Sequence, residues 1–261
     1  MAIVRYPAVA GMFYPEDPAA LRRMVREFLD AAPTSAPVPK ALIVPHAGYV
    51  YSGPIAASAY ACLQPARDTI RRVVLLGPSH RVPFHGLAAS SAEQFVTPLG
   101  PVPLDREAID VLLELPQVHL LDEAHELEHS LEVHLPFLQE VLAAFTLVPL
   151  VVGEASAEEV DGVLERLWGG PETLIVVSSD LSHYHDYATA RGMDTRTSRA
   201  IEQLHDGDIG YDDACGRNPV RGLLHAARTH GLHASTLDLR SSGDTAGPRD
   251  QVVGYGAYVF Q

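Results

Sequence analysis

The chain has 261 residues, is 47% apolar and carries a formal charge of −14. That balance leaves no basic stripe to neutralise phosphates, which argues against a nucleic-acid or anionic-membrane binder, and two cysteines, Cys62 and Cys215, are too few for a disulfide framework. No basic segment leads into an apolar one and no run of about 18 apolar residues occurs, so the expected location is the cytoplasm. Thirteen histidines against nineteen Lys plus Arg point to metal or proton chemistry.

Residues 1–16, with Pro7, Gly11 and Pro15 among Tyr6, Phe13 and Tyr14, read as a packed arm without a regular period. Asp17-Pro18 supplies an N-cap and a first-turn proline. Leu21, Met24, Val25, Phe28 and Leu29 then recur at helical spacing, which predicts a helix over 18–31. Pro33 to Pro39 reads as a linker. A strand at 41–44 leads through Pro45-His46-Ala47-Gly48 to a helix expected over 54–63, with Pro54 in its first turn. A strand at 73–76 precedes a loop holding His80 and His85. A short strand follows at 86–90, then an extended, turn-rich segment at 95–103. A helix capped by Asp105 is expected to run to about Leu115, with a short strand at 119–121 after it.

Asp122 to His134 is the most polar stretch, and a solvated acidic loop is its plain reading. A helix at 136–144, a strand at 147–152 and a helix from the Ser156 cap to Trp168 come next. The strand at 173–177 ends in Ser178-Ser179-Asp180-Leu181-Ser182-His183. Helices over 189–204 and from Asn218-Pro219 to His230, then strands at 234–240 and 252–260, complete the chain. Strands alternating with helices predict an α/β fold: one domain spanning 1–261, with a mixed, largely parallel sheet flanked by helices.

Three apolar runs end in histidine-bearing loops, at His46, His80 and His183. Ligands in open α/β sheets sit beyond the carboxyl ends of the strands, so this convergence marks a site. His46, His80 and Cys215 form a workable ligand set for zinc, copper or iron. Cys215 lies in a polar turn before a helix, where its thiolate would be favoured, whereas Cys62 in an alanine-rich helix reads as packing. Asp180 stands three residues before His183 and could orient it as a general base. Ser178 and Ser179 beside them allow a Ser-His-Asp reading, but no G-x-S-x-G elbow supports it. His125-Glu126-Leu127-Glu128-His129 satisfies H-E-x-x-H literally. Its acidic flanks and the nearby Pro136 do not suit the long helix a zinc protease needs. Glu128, His129, Glu132 and His134 are left open as residues of the same cleft.

Six segments then carry a resemblance: Val9-Ala10-Gly11-Met12-Phe13-Tyr14-Pro15, Pro45-His46-Ala47-Gly48-Tyr49-Val50-Tyr51-Ser52-Gly53, Gly77-Pro78-Ser79-His80, Glu128 to Phe137, Ser178 to His183 and Cys215-Gly216-Arg217. Together, in order along nearly the whole chain, they resemble the Memo family, whose microbial members are called AmmeMemoRadiSam system protein B. The resemblance implies a fold similar to the class III extradiol non-haem iron dioxygenases, with His46, His80 and Cys215 as metal ligands and Asp180 and His183 in the same cleft. It also implies a radical SAM protein and an AMMECR1-like protein as partners.

Those dioxygenases hold iron with two histidines and a carboxylate. Here Cys215 takes the carboxylate's place, which softens the site and opens it to copper or zinc as well as iron, so ring cleavage does not transfer. Three functions are carried forward. The first is a redox enzyme on a small-molecule substrate, with iron or copper favoured. The others are a non-catalytic metal- or peptide-binding module and a zinc hydrolase.

Overall fold

Runs such as Ala41-Leu42-Ile43-Val44 have no polar face, so a strand built from them must be covered on both sides. The structure, a computed structural model, describes residues 3–33 and 36–261. Its elements begin with β1 (Val4–Arg5), α1 (Pro18–Ala31), β2 (Ala41–Val44), α2 (Tyr49–Tyr60) and β3 (Arg72–Pro78). There follow β4 (Leu87–Ala89), β5 (Gln94–Thr97), β6 (Gly100–Pro103), α3 (Arg106–Leu112), β7 (Val118–Leu120), α4 (Glu123–Glu126) and α5 (Leu135–Val141). Next come β8 (Thr146–Val152), α6 (Ala157–Leu167), β9 (Thr173–Ser178) and β10 (His183–His185). The last elements are α7 (Tyr187–Glu202), α8 (Arg217–Thr229), β11 (Ala234–Ser241) and β12 (Val252–Phe260).

The principal sheet has the order β10-β12-β2-β9-β3-β8-β4-β7, with β11 also paired to β12. β2, β9, β3 and β8 run parallel, and every residue of β2 and β9 is buried. β12 joins β2 and β4 joins β8 antiparallel, so the sheet is mixed, as expected. A smaller sheet, β1-β5-β6, stands apart. One group of helices, α1, α2 and α5, packs together, with α2 against β2 and β12; in a second, α6 packs on α8, and α8 on β3 and β9. Because β2, β9, β3 and β8 are parallel, their carboxyl ends share one rim. The loops carrying His46, His80 and Asp180 meet there.

The capping residues act as their chemistry requires. Asp17 accepts the Ala20 N–H at 2.8 Å. Ser156 and Glu159 form a reciprocal capping box at the start of α6. The structure corrects several sequence readings. α2 begins at Tyr49 and Pro54 lies inside it, because the Tyr49 N–H bonds to Phe13 O and starts the helix a turn early. The amino-terminal arm contributes β1, which pairs with β5, and residues 95–103 form most of the hairpin β5–β6. Part of the predicted linker at 33–39, residues 34 and 35, lies outside the described residues. Among the described residues no helix is long and apolar enough to cross a membrane.

The acidic stretch from Asp122 to His134 departs furthest from expectation. His125, Glu128, Ser130, Glu132 and His134 are all buried. Glu132 is wholly enclosed, pairs with Arg5, and accepts the Ala8 and Val9 N–H groups at 2.7 and 3.0 Å and the Tyr14 hydroxyl. Its charge therefore pins the amino-terminal arm to the core, since a buried carboxylate needs a full set of donors.

Candidate metal centre

β2 ends at Val44, and its next residues carry His46 into the rim. The Asp180 carboxylate accepts the His46 backbone N–H at 2.7 Å, and His46 Nδ1 lies 2.6 Å from Ser178 Oγ. This leaves Nε2 as the free ring nitrogen. It faces Cys215 Sγ at 3.4 Å.

β3 delivers His80. Glu128 grips that residue twice, accepting its backbone N–H at 2.7 Å and meeting Nδ1 at 2.9 Å. Again Nε2 is left to the cleft. A carboxylate on the far nitrogen of an imidazole fixes the ring and raises its basicity, the arrangement found behind metal-ligating histidines.

Cys215 comes from the turn before α8. Its N–H donates to Asp180 O at 3.3 Å, and the Gly216 N–H donates to Ser179 Oγ at 3.0 Å. Gly216 must lack a side chain, because a Cβ there would lie 2.5 Å from Ser178 O and 2.7 Å from Ser179 Cβ. That close approach seats the thiol beside β9. One ligand atom from each of His46, His80 and Cys215 lies within 4.8 Å of the others. The donor set and its outer hydrogen bonds fit a metal ion. A second triad, His80, Glu128 and His129, meets the same distance test, but Glu128 is already committed to four N–H groups.

His129 stacks on His80, with ring centroids 4.7 Å apart, and stands edge-on to His46 at 5.4 Å. Together with Asp180 and His183 these rings line an open cleft of about 840 Å³, whose mouth carries Met12, Tyr51, Tyr184 and Tyr211. Tyr184 adopts a left-handed backbone, φ 61°, and projects into solvent from the irregular strand β10. Such strain clusters at functional sites.

Burial dominates the electrostatics. It pushes the His46 and His183 rings below their ordinary range and brings His129 down to about 4. All three are neutral at neutral pH, as His46 must be to act as a ligand. Burial raises Asp180 to about 7, against the pull of the His46 N–H. In Glu128 burial is outweighed by the His80 ring and the backbone N–H groups of His80 and Ser130, leaving it at about 2. Burial, then the Asp180 carboxylate, pushes the Cys215 thiol up, so the turn before α8 does not favour the thiolate by itself. A cation would have to do so.

The structure brings His46, His80, Cys215, Asp180 and His183 to one cleft. It gives Asp180 a different partner from the one expected: its carboxylate holds the His46 backbone. Of the four residues left open, His129 lines the cleft and Glu128 anchors His80, while Glu132 and His134 lie behind it. The H-E-x-x-H reading fails. α4 has four residues and ends at Glu126, so no helix joins His125 to His129. His125 is buried, with Nε2 2.9 Å from Ala88 O. Sequence reasoning passed over Tyr184 and Tyr211, whose role at the mouth depends on backbone twist and loop placement.

Comparison with known proteins agrees along the whole chain. Residues 5–259 match the family described as Memo-like protein. A MEMO1 family protein of Aquifex aeolicus is 35% identical over 268 residues, covering 98% of this chain and 99% of its own length. One from Methanocaldococcus jannaschii is 36% identical over 286 residues, covering 99% of each. One from Archaeoglobus fulgidus is 34% identical over 272 residues, covering 99% of this chain and 100% of its own.

Proposed function

This chain belongs to the Memo family, and we propose that it is a metal-dependent redox protein whose ion is held by His46, His80 and Cys215. The observation that carries the reading is the convergence of two imidazole nitrogens and a thiol within 4.8 Å at the floor of a cleft large enough for a small substrate. Iron or copper suits this ligand set, with zinc as the redox-inert alternative. A bound ion would supply Lewis acidity or electron transfer and would hold Cys215 as thiolate. The protein's own groups then divide the remaining work. Glu128 and Ser178 orient the two imidazoles. Asp180 positions the His46 backbone and, with a proton affinity matched to neutral pH, gives or takes a proton at its carboxylate beside the thiol. His183, neutral and in the same cleft, is the second proton carrier.

The test is elemental analysis of protein purified anaerobically without a histidine tag. About one equivalent of metal is expected in the parent and a small fraction of it in the double variant His46→Ala, Cys215→Ala. Equal metal in both would overturn the assignment. Oxygen consumption with candidate substrates then separates an enzyme from a binding protein. One observation favours the second reading, a module acting through partners: Met12, Tyr184 and Tyr211 are each about 70% exposed at the cleft mouth, an apolar rim that could seat a peptide.

A further inference from the structure

Behind His46, on the side away from the cleft, a chain of buried polar groups runs on from Ser178 to His134 and Tyr60. Ser178 Oγ is its centre and is wholly buried. It has three neighbours: Ser130 O at 2.6 Å, His46 Nδ1 at 2.6 Å and His134 Nε2 at 2.8 Å. Beyond His134, the Tyr60 hydroxyl lies 2.9 Å from Nδ1. Ser130, His134 and Tyr60 are buried as well, so no bulk water can rearrange the protons.

The proton count allows one arrangement that satisfies every group. A carbonyl only accepts, so Ser178 gives its single proton to Ser130 O. Its two lone pairs then face two imidazole nitrogens, and both nitrogens must donate. His134 therefore carries its proton on Nε2 and takes the Tyr60 proton at Nδ1. Burial keeps this ring neutral, pushing its acidity down to about 3. His46 carries its proton on Nδ1. Any other arrangement strands a buried acceptor or sets two lone pairs against each other, at a cost of roughly 1–3 kcal/mol.

From this count we infer that Ser178 is a positioning residue: it locks His46 in the Nδ1–H tautomer, so that Nε2 always faces Cys215 and His80 as a lone pair. Neutral histidine in water populates both tautomers and favours the one with the proton on Nε2. That tautomer would turn a donor, not a ligand, toward the thiol. The tautomer assignment is a property of the protein without any ion; its consequence for affinity rests on the metal reading above. Glu128 does for His80 what Ser178 does for His46. The two differ in kind, because a carboxylate also adds basicity and a serine hydroxyl sets only the tautomer.

The experiment is a long-range proton–nitrogen correlation spectrum of histidine-labelled, chelator-treated protein, joined to Co(II) titration followed by its thiolate charge-transfer band. In the parent, His46 is expected to show a protonated Nδ1 and a bare Nε2, and His134 the reverse. In Ser178→Ala, His46 should populate both tautomers and Co(II) affinity should fall about 10- to 100-fold, the usual loss when an outer partner of a ligand is removed. In Tyr60→Phe, His134 should keep its proton on Nε2, because the Ser178 lone pair still takes it there. His46 should keep its proton on Nδ1, because Ser178 still donates to Ser130 O. A parent spectrum with the proton on His46 Nε2 overturns the inference, whether or not Ser178→Ala folds, as does a Ser178→Ala protein with unchanged tautomer and affinity. Failure of the parent to bind Co(II) with the assigned tautomer in place would instead overturn the metal reading.

Discussion

Glu128 binds His80 through both the backbone N–H and the ring, and it also takes the N–H groups of His129 and Ser130. One carboxylate thus sets the direction of one proposed ligand and the path of the loop holding its stacked neighbour. Glu128→Gln preserves size and can still accept, but removes the negative charge behind the His80 ring. Metal affinity measured by chelator competition should drop about 10- to 100-fold, with the far-ultraviolet spectrum unchanged. An affinity equal to that of the parent would show that His80 needs no carboxylate behind it. This residue also marks where sequence reading stopped. His46 and His80 could be found because each follows an apolar run directly. Glu128 sits in a stretch whose local polarity signals solvent. Its burial is decided by Arg5, which donates to the Glu128 and His125 carbonyl oxygens from over a hundred residues away, and no local pattern carries that contact.

At the level of elements, the strands were legible and their junctions less so. Four continuous apolar runs have nowhere to go except the middle of a sheet, and Asp17, Asp105 and Ser156 announce three helices by side-chain chemistry. The start of α2 was missed because its first N–H is satisfied from the amino-terminal arm, and β10 was missed because a register shift breaks its pairing with β12. The junction between β9 and α8 is the one that matters for the site. It is held by the Cys215 N–H and the Gly216 N–H, at a separation that leaves no room for a Cβ. Gly216→Ala should therefore push the turn off the strand. A loss of about 1–3 kcal/mol is expected in denaturant unfolding, as for an overpacked core, together with weaker metal binding, because the thiol moves with the turn. A fully stable variant with parent-like affinity would show that β9 yields easily.

Across the whole molecule, buried titratable groups pull stability in opposite directions with pH. His125 and His134 are held neutral, their ring acidities pushed down to about 4 and about 3 by burial. On unfolding they regain the ordinary value near 6.5. Above that pH both states are neutral and nothing is lost. As pH falls, the unfolded chain takes protons that the folded chain refuses, so stability declines from pH 6.5 toward 4. Asp194 does the reverse. Burial raises it to about 6, although its carboxylate accepts the Ser182 N–H at 3.1 Å. It costs nothing below pH 3.8. From pH 3.8 to 6 the folded state keeps a proton that the unfolded chain has released, and above 6 it holds a buried charge, so the cost builds over that window and persists above it. Asp194→Asn keeps the acceptor for Ser182 and removes the charge, so its melting temperature should exceed that of the parent at pH 8 and match it at pH 4. His125→Gln should leave stability at pH 8 near the parent's less the packing loss, and flatten the decline between pH 6.5 and 4. Calorimetric melting of the parent and both variants at the three pH values tests both signs at once. A parallel shift of either variant at every pH would mean that the substituted group acts through packing and not through its charge.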